Sequence, residues 1–310
     1  MARLSTAGVL PVMLGLLLPA ADATAHGFAG DRFFPATILT DDPFVADEAT
    51  PITITRDPTA ADGTKTYNIE ADISKRLFRD LDITFQDSWD YAKPPGSPHV
   101  TGFESLTTGL QYQLFIDAPH EAMALFGLDA TWGHTGRVQA LGQPDFTTIS
   151  PTLDFGKGFG DMFDPFSYLR PFAITGNLSL DFPTKVESNG NPNSNNFNYG
   201  FAIEYSLEYL QHHVKDVGIS PPFDHLVPLV EFALTTPLNR GQGGNTTGTV
   251  QPGLIWSGQY YQLGAEMIVP VNSLSGHGIG GLVQFHLYLD DLFPRSVGKP
   301  LFGDHRLFGS

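Results

Sequence analysis

Between Phe197 and Tyr209 every second residue is apolar: Phe197, Tyr199, Phe201, Ile203, Tyr205, Leu207 and Tyr209 alternate with Asn198, Gly200, Ala202, Glu204, Ser206 and Glu208. A two-residue period is that of an extended strand, whose successive side chains point to opposite faces. One face of this segment suits hydrocarbon and the other suits water. The sequence predicts this strand over Phe197–Leu210 and similar ones over Pro51–Arg56, Lys65–Lys75, Asp80–Tyr91, Phe103–Ile116, Ala122–Gly133 and Phe146–Phe155. It predicts further strands over Pro171–Phe182, Leu226–Thr236, Gly248–Trp256, Tyr260–Val271 and Gly278–Asp290, about twelve in all.

The connections alternate too. Asp57–Thr64, Lys93–Gly102, His134–Asp145, Lys185–Asn196, Asn239–Thr247 and Asn272–His277 are rich in Gly, Asn, Pro and Thr, whereas Arg76–Arg79, Asp117–Glu121 and Ser257–Gln259 are brief. Outer-membrane barrels place long loops outside and short turns in the periplasm, and their strand number is usually even. The expected fold is therefore all-β, a transmembrane antiparallel up-and-down β-barrel over residues 50–290 with both termini in the periplasm. Gly156–Leu169 and Gln211–His225 are long for periplasmic turns, so each holds a helical turn or the count is wrong by one hairpin. Trp89, Tyr91, Trp132, Trp256, Tyr260 and Tyr261 fall near strand ends, where aromatic girdles form.

The first residues read as an export signal: Arg3, an apolar stretch from Val9 to Leu18, and small residues that allow cleavage after Ala25. That stretch is too short to span a bilayer as a helix. A leader follows at 26–49 and a tail at 291–310. Mean hydropathy is only −0.07, as expected when polar residues occupy every second strand position. The 310 residues include no cysteine, so stability rests on a closed hydrogen-bonded ladder rather than on disulfides. The net charge of −16 leaves no basic stripe, which excludes a nucleic-acid partner. The expected partners are outer-membrane lipid, small-molecule solutes and the outer-membrane assembly machinery. The last strand is followed by about twenty residues, so assembly requires an internal signal.

Candidate chemistry is sparse. No G-x-S-x-G occurs and no spacing sets Ser, His and an acid together, so no catalytic residue and no cofactor is expected. His212, His213 and His225 read as loop histidines rather than as a metal site. His26, once exposed as a new N-terminus, could hold Cu(II) through its amine and imidazole. The polar strand faces predict a lumen lined by Glu70, Asp72, Gln111, Gln113, Asn177, Asp181, Glu204, Glu208, Glu231, Gln262, Glu266, Gln284, His286 and Tyr288. Carboxylates dominate that set, and a pore so lined favours cations or neutral polar solutes. In the leader, Phe28, Phe33, Phe34 and Phe44 are mixed with acidic residues, a composition that predicts a plug folded back into the lumen or its periplasmic mouth.

The export signal, the alternating strands and the leader segment His26-Gly27-Phe28-Ala29-Gly30-Asp31-Arg32-Phe33-Phe34-Pro35 together resemble the transporter-like outer-membrane barrels named after the meta-cleavage pathway of phenol degradation. The resemblance covers the mature chain as architecture and carries no binding motif. It implies passive uptake of small hydrophobic or aromatic molecules across the outer membrane of a Gram-negative bacterium. A lipid-modifying outer-membrane enzyme and a structural or adhesive barrel are the competing readings.

Overall fold

The computed structural model describes residues 27–38, 43–137, 140–141, 145–188, 190–241 and 243–307. The export signal and His26 lie outside them. Twelve long strands form one antiparallel sheet: β1 (Glu48–Arg56), β2 (Lys65–Phe78), β3 (Leu81–Lys93), β4 (Thr107–Asp117), β5 (Ala122–Thr131) and β6 (Thr148–Gly158), then β7 (Phe172–Pro183), β8 (Asn196–Tyr205), β9 (Leu226–Pro237), β10 (Thr247–Ser257), β11 (Tyr261–Pro270) and β12 (Gly280–Tyr288). Each pairs with its neighbours in sequence, and β12 pairs back onto β1, which closes the barrel and leaves no long strand with a free edge.

The register explains the alternation. Ile54 of β1 lies opposite both Ile69 of β2 and Val283 of β12, and Leu128 of β5 lies opposite Leu110 of β4. These side chains point outward and stay 43–51 % exposed. An apolar belt that runs round the whole barrel is stable only against hydrocarbon, and a closed ladder satisfies every strand's backbone there. The alternate positions, including Thr53, Glu70, Asp129 and Glu231, therefore face the interior.

Two expectations about strand boundaries are corrected. The segment beginning at Asn196 leaves the sheet at Tyr205 because Ser206 caps a helical turn, Leu207–Tyr209, its side chain accepting a hydrogen bond from the Tyr209 amide. Glu208 thus stands on that turn and not on the strand with Glu204. The predicted strand from Phe103 is also interrupted: Val100–Phe103 pairs with the far end of β3, and β4 begins only at Thr107. The two long turns hold helical turns, Asp164–Leu169 in one and Leu210–Val214 with Phe223–His225 in the other, so the count of twelve stands.

The start of β1 and the end of β12, paired through Glu48 and Tyr288, lie at one end of the barrel, here the terminal end; the opposite one is the loop end. The tail lines the terminal end, where the Leu301 and Phe302 amides donate to the Arg76 and Leu77 carbonyls and the Leu307 amide donates to Asp80. The leader turns inward instead. Its hairpin, Phe28–Ala29 paired with Arg32–Phe33, contributes Ala29 to a buried cluster with Phe34, Met123 and Ala173, against which Phe44 packs. Gly156 makes room: a Cβ there would come 3.0 Å from the Phe34 ring.

Candidate functional site

The interior divides into a filled terminal half and an open loop-end half. In the filled half, segments 27–38 and 43–47 touch side chains of β2, β4, β5, β7, β9, β11 and β12. The Val45 amide donates to Gln113 of β4 at 2.9 Å and the Ile38 amide to Glu231 of β9 at 3.1 Å. Gln262 of β11 donates to the Ala36 carbonyl, and Gln113 also donates to the Pro43 carbonyl. Gln113, Glu231 and Gln262 were expected to meet solvent, yet their polar atoms serve the leader's backbone. An extended segment buried inside a barrel needs such partners, because each unpaired amide or carbonyl there is costly.

The leader is fastened at two places. Arg32, 1 % exposed, donates to the Glu121 carboxylate at 3.3 Å and to the carbonyls of Pro171 and Arg170. Its guanidinium also lies 3.9 Å over the Tyr209 ring. Glu121 in turn accepts hydrogen bonds from the Tyr209 hydroxyl at 2.7 Å and the Gly160 amide at 2.9 Å. Burial lowers the proton affinity of Arg32, and the Glu121 charge works against that loss; burial and then the bond to Glu121 push the Tyr209 phenol up. At the other fastening Asp47, fully buried, binds Lys75 at 2.5 Å and Arg76 at 2.8 Å.

Above the leader, a cavity of about 500 Å³ opens near the loop end, lined mainly by carboxylates, amides and hydroxyls, among them Glu70, Glu104 and Asp181, with Phe146 and Pro183 as its apolar members. Asp181 accepts from Ser150 at 2.7 Å and Asn198 at 2.9 Å, and Glu104 accepts from Ser88 at 3.1 Å. Glu104 lies between strands. Burial, then a hydrogen bond shared with Asp90, raises its carboxyl to about 7. Asp57, just beyond β1, is raised to about 6, again by burial first and by Asp90 second.

The remaining expected lumen residues are spread through both halves. Asp72, Gln111, Asn177 and Gln284 occupy inward positions of β2, β4, β7 and β12, and Asn177 donates to Asp154. Glu204 accepts from Thr175 at 2.9 Å. Glu208 sits outside the lumen, where its carboxylate pairs with His225 at 3.3 Å; that bond lowers the acid and raises the imidazole. Thr50 Oγ1 is hydrogen-bonded to His286 Nδ1 at 3.0 Å, and His286 Nε2 lies within ion-pair distance of Glu48, at 3.2 Å. The three residues are 3–5 % exposed, so Thr50 is closed to a substrate. Tyr288 bonds Gln262 at 3.0 Å and stacks edge-on with Phe33, which also packs on Phe28. Among the described residues no three His, Cys, Asp or Glu side chains converge as metal ligands.

Sequence reasoning missed Arg32, Glu121, Tyr209, Glu104 and Asp57. Arg32 is the one cation in its Phe-rich stretch, which was a usable signal; Glu121 and Tyr209, in separate connections, gave none.

No family model and no curated protein sequence matches the chain. Among solved structures it is similar to an outer-membrane channel from Pseudomonas putida F1, with a TM-score of 0.50 and 10 % identity over 78 % of this chain and 95 % of that one. The NanC porin aligns with a TM-score of 0.46 at 8 % identity over 76 % of this chain and 98 % of that one. LpxR from Salmonella typhimurium aligns at 0.41 and 8 % identity over 78 % of this chain and 100 % of that one. At these identities the first likeness bears on architecture, and it agrees with the strand register: the fold is that of an outer-membrane β-barrel.

Proposed function

We propose that the protein is an outer-membrane channel for passive uptake of small cationic and neutral polar solutes, with the leader as a plug that narrows its periplasmic half. The observation that carries this reading is the acidic cavity of about 500 Å³ in the loop-end half, directly above a leader whose backbone is bonded to the wall. In this reading the loop end is extracellular and the terminal end periplasmic. Clustered carboxylates attract cations and repel anions at a pore mouth. Membership of the barrel family named after phenol meta-cleavage belongs to the proposal. Among the described residues that line this cavity, Phe146 and Pro183 are the apolar ones and the rest are acids, amides and hydroxyls, a lining that supports cations and polar solutes better than the hydrophobic or aromatic solutes the family implies.

The test is conductance in planar bilayers under a salt gradient. Wild-type protein is expected to give a reversal potential on the cation-selective side, and Glu70→Gln with Glu104→Gln to move it toward zero with the barrel intact. A folded wild-type protein that conducts without charge preference, or prefers anions, overturns the reading. A panel of small aromatics run alongside decides between the two solute classes.

A further inference from the structure

We infer that the barrel wall beside the leader carries a hard-cation site, suited to calcium, built from Glu266 and Glu231 with the side-chain oxygens of Gln251 and Gln284. It is separate from the acidic cavity and independent of whether the barrel conducts. The cluster lies on the inward faces of four consecutive strands. Glu231 of β9 is directly opposite Gln251 of β10, Glu266 of β11 is opposite Gly253 of β10, and Gln284 of β12 is opposite Gly264 of β11. Glu266 is thus a diagonal neighbour of both glutamines, a relation that spans about 7–8 Å between backbones and lies within reach of long side chains. Gly253 leaves room for the Glu266 side chain itself, and Gly264 leaves room for Ile38 of the leader.

What marks the cluster as a ligand set is its orphaned oxygens. Glu266 is 5 % exposed, and both its carboxylate oxygens are buried without a hydrogen-bond donor. The charged group that acts on it is another carboxylate, Glu231. Gln251 is 3 % exposed and its side-chain oxygen is likewise without a donor, as is that of Gln284. The Gln251 nitrogen donates to Thr249 Oγ1 at 2.8 Å, which leaves its oxygen on the side away from that hydroxyl.

Two buried carboxylates side by side require either a shared proton or a cation. A proton would serve Glu266 and leave both amide oxygens bare. A cation serves all of them at once. Only two members are ionisable, which suits calcium, since it takes carboxylate, amide and hydroxyl oxygens together in flexible geometry, whereas zinc prefers nitrogen and sulfur. Glu231 also accepts the Ile38 amide, and Ile38 packs where Gly264 leaves room, so the ion would sit where the leader meets the wall.

The test is equilibrium binding of calcium chloride to the purified full-length barrel in detergent. About one calcium per chain is expected for wild type, a loss of at least tenfold in affinity for Glu266→Gln, and unchanged binding for Asp164→Asn on an exposed terminal-end turn. Absence of binding by wild type overturns the inference, as does binding lost in Asp164→Asn and kept in Glu266→Gln. Should Glu266→Gln not fold, infrared difference spectra of wild type decide alone. Calcium is expected to remove a protonated-carboxyl band and raise a carboxylate band. A spectrum in which calcium removes no protonated-carboxyl intensity refutes the site.

Discussion

Replacing Arg32 by alanine tests whether the leader is fastened as the geometry indicates. The guanidinium is buried against Glu121 at 3.3 Å and over Tyr209 at 3.9 Å. Removing one partner of a buried pair costs about 3–5 kcal/mol, because the other charge stays buried and uncompensated. Glu121 keeps its bonds from Tyr209 and the Gly160 amide, which places the loss near the lower end, about 3 kcal/mol. The lost cation–π contact adds about 1 kcal/mol. This penalty belongs to the docked leader alone, since undocking returns Glu121 to water. A total of about 4 kcal/mol, at 1.4 kcal/mol per factor of ten, raises the undocked population on the order of a thousandfold. Hydrogen exchange reads it directly: the Phe34, Ile38 and Val45 amides, bonded to Gly27, Glu231 and Gln113, should exchange faster by that order while strand amides do not change. Adding Glu121→Gln should recover part of the loss. Leader amides unchanged within a few fold, or strand amides accelerated equally, would refute the reasoning.

Three further outcomes are expected. Leu153→Arg, in the middle of β6 on the outward face, should destabilise the barrel by about 2–4 kcal/mol in lipid, read as a lower urea midpoint for folding into vesicles; an unchanged midpoint would mean the residue does not face hydrocarbon. Glu104 and Asp57 are raised to about 7 and about 6, so both are neutral at pH 5 and ionised at pH 8, and cation preference should rise across that interval. The sign for stability is opposite, because the folded state holds these protons longer than the unfolded one and loses stability as pH climbs toward 7. Glu104→Gln should flatten most of the selectivity change, and a profile identical to wild type would remove Glu104 from the mouth. An epitope inserted at Gly243 should be labelled on intact cells and one at Pro119 should not, since the two connections lie at opposite ends of the barrel; the reverse result would invert the orientation.

Strand count, order and facing were legible in the sequence because they depend on a local rule. A two-residue period tells which side of each strand is apolar, whatever the partner strand is, and Ile54, Ile69, Leu128 and Val283 all proved to face outward as that rule requires. Strand ends were less legible: the alternation continues through Glu208, but one hydroxyl at Ser206 capping the next turn ends the strand at Tyr205. Of the leader's four phenylalanines, Phe34 is fully buried, while Phe28, Phe33 and Phe44 are only partly so. Where the leader lies, and what holds it, came only from the closed barrel. Arg32 meets Glu121 and Tyr209, which are 89 and 177 positions away along the chain, because closure brings separate terminal-end turns round one axis. For the same reason the polar strand positions divide into those that serve the leader's backbone and those that face the open cavity. Periodicity assigns a face to a residue, but only the three-dimensional closure decides what stands in front of that face.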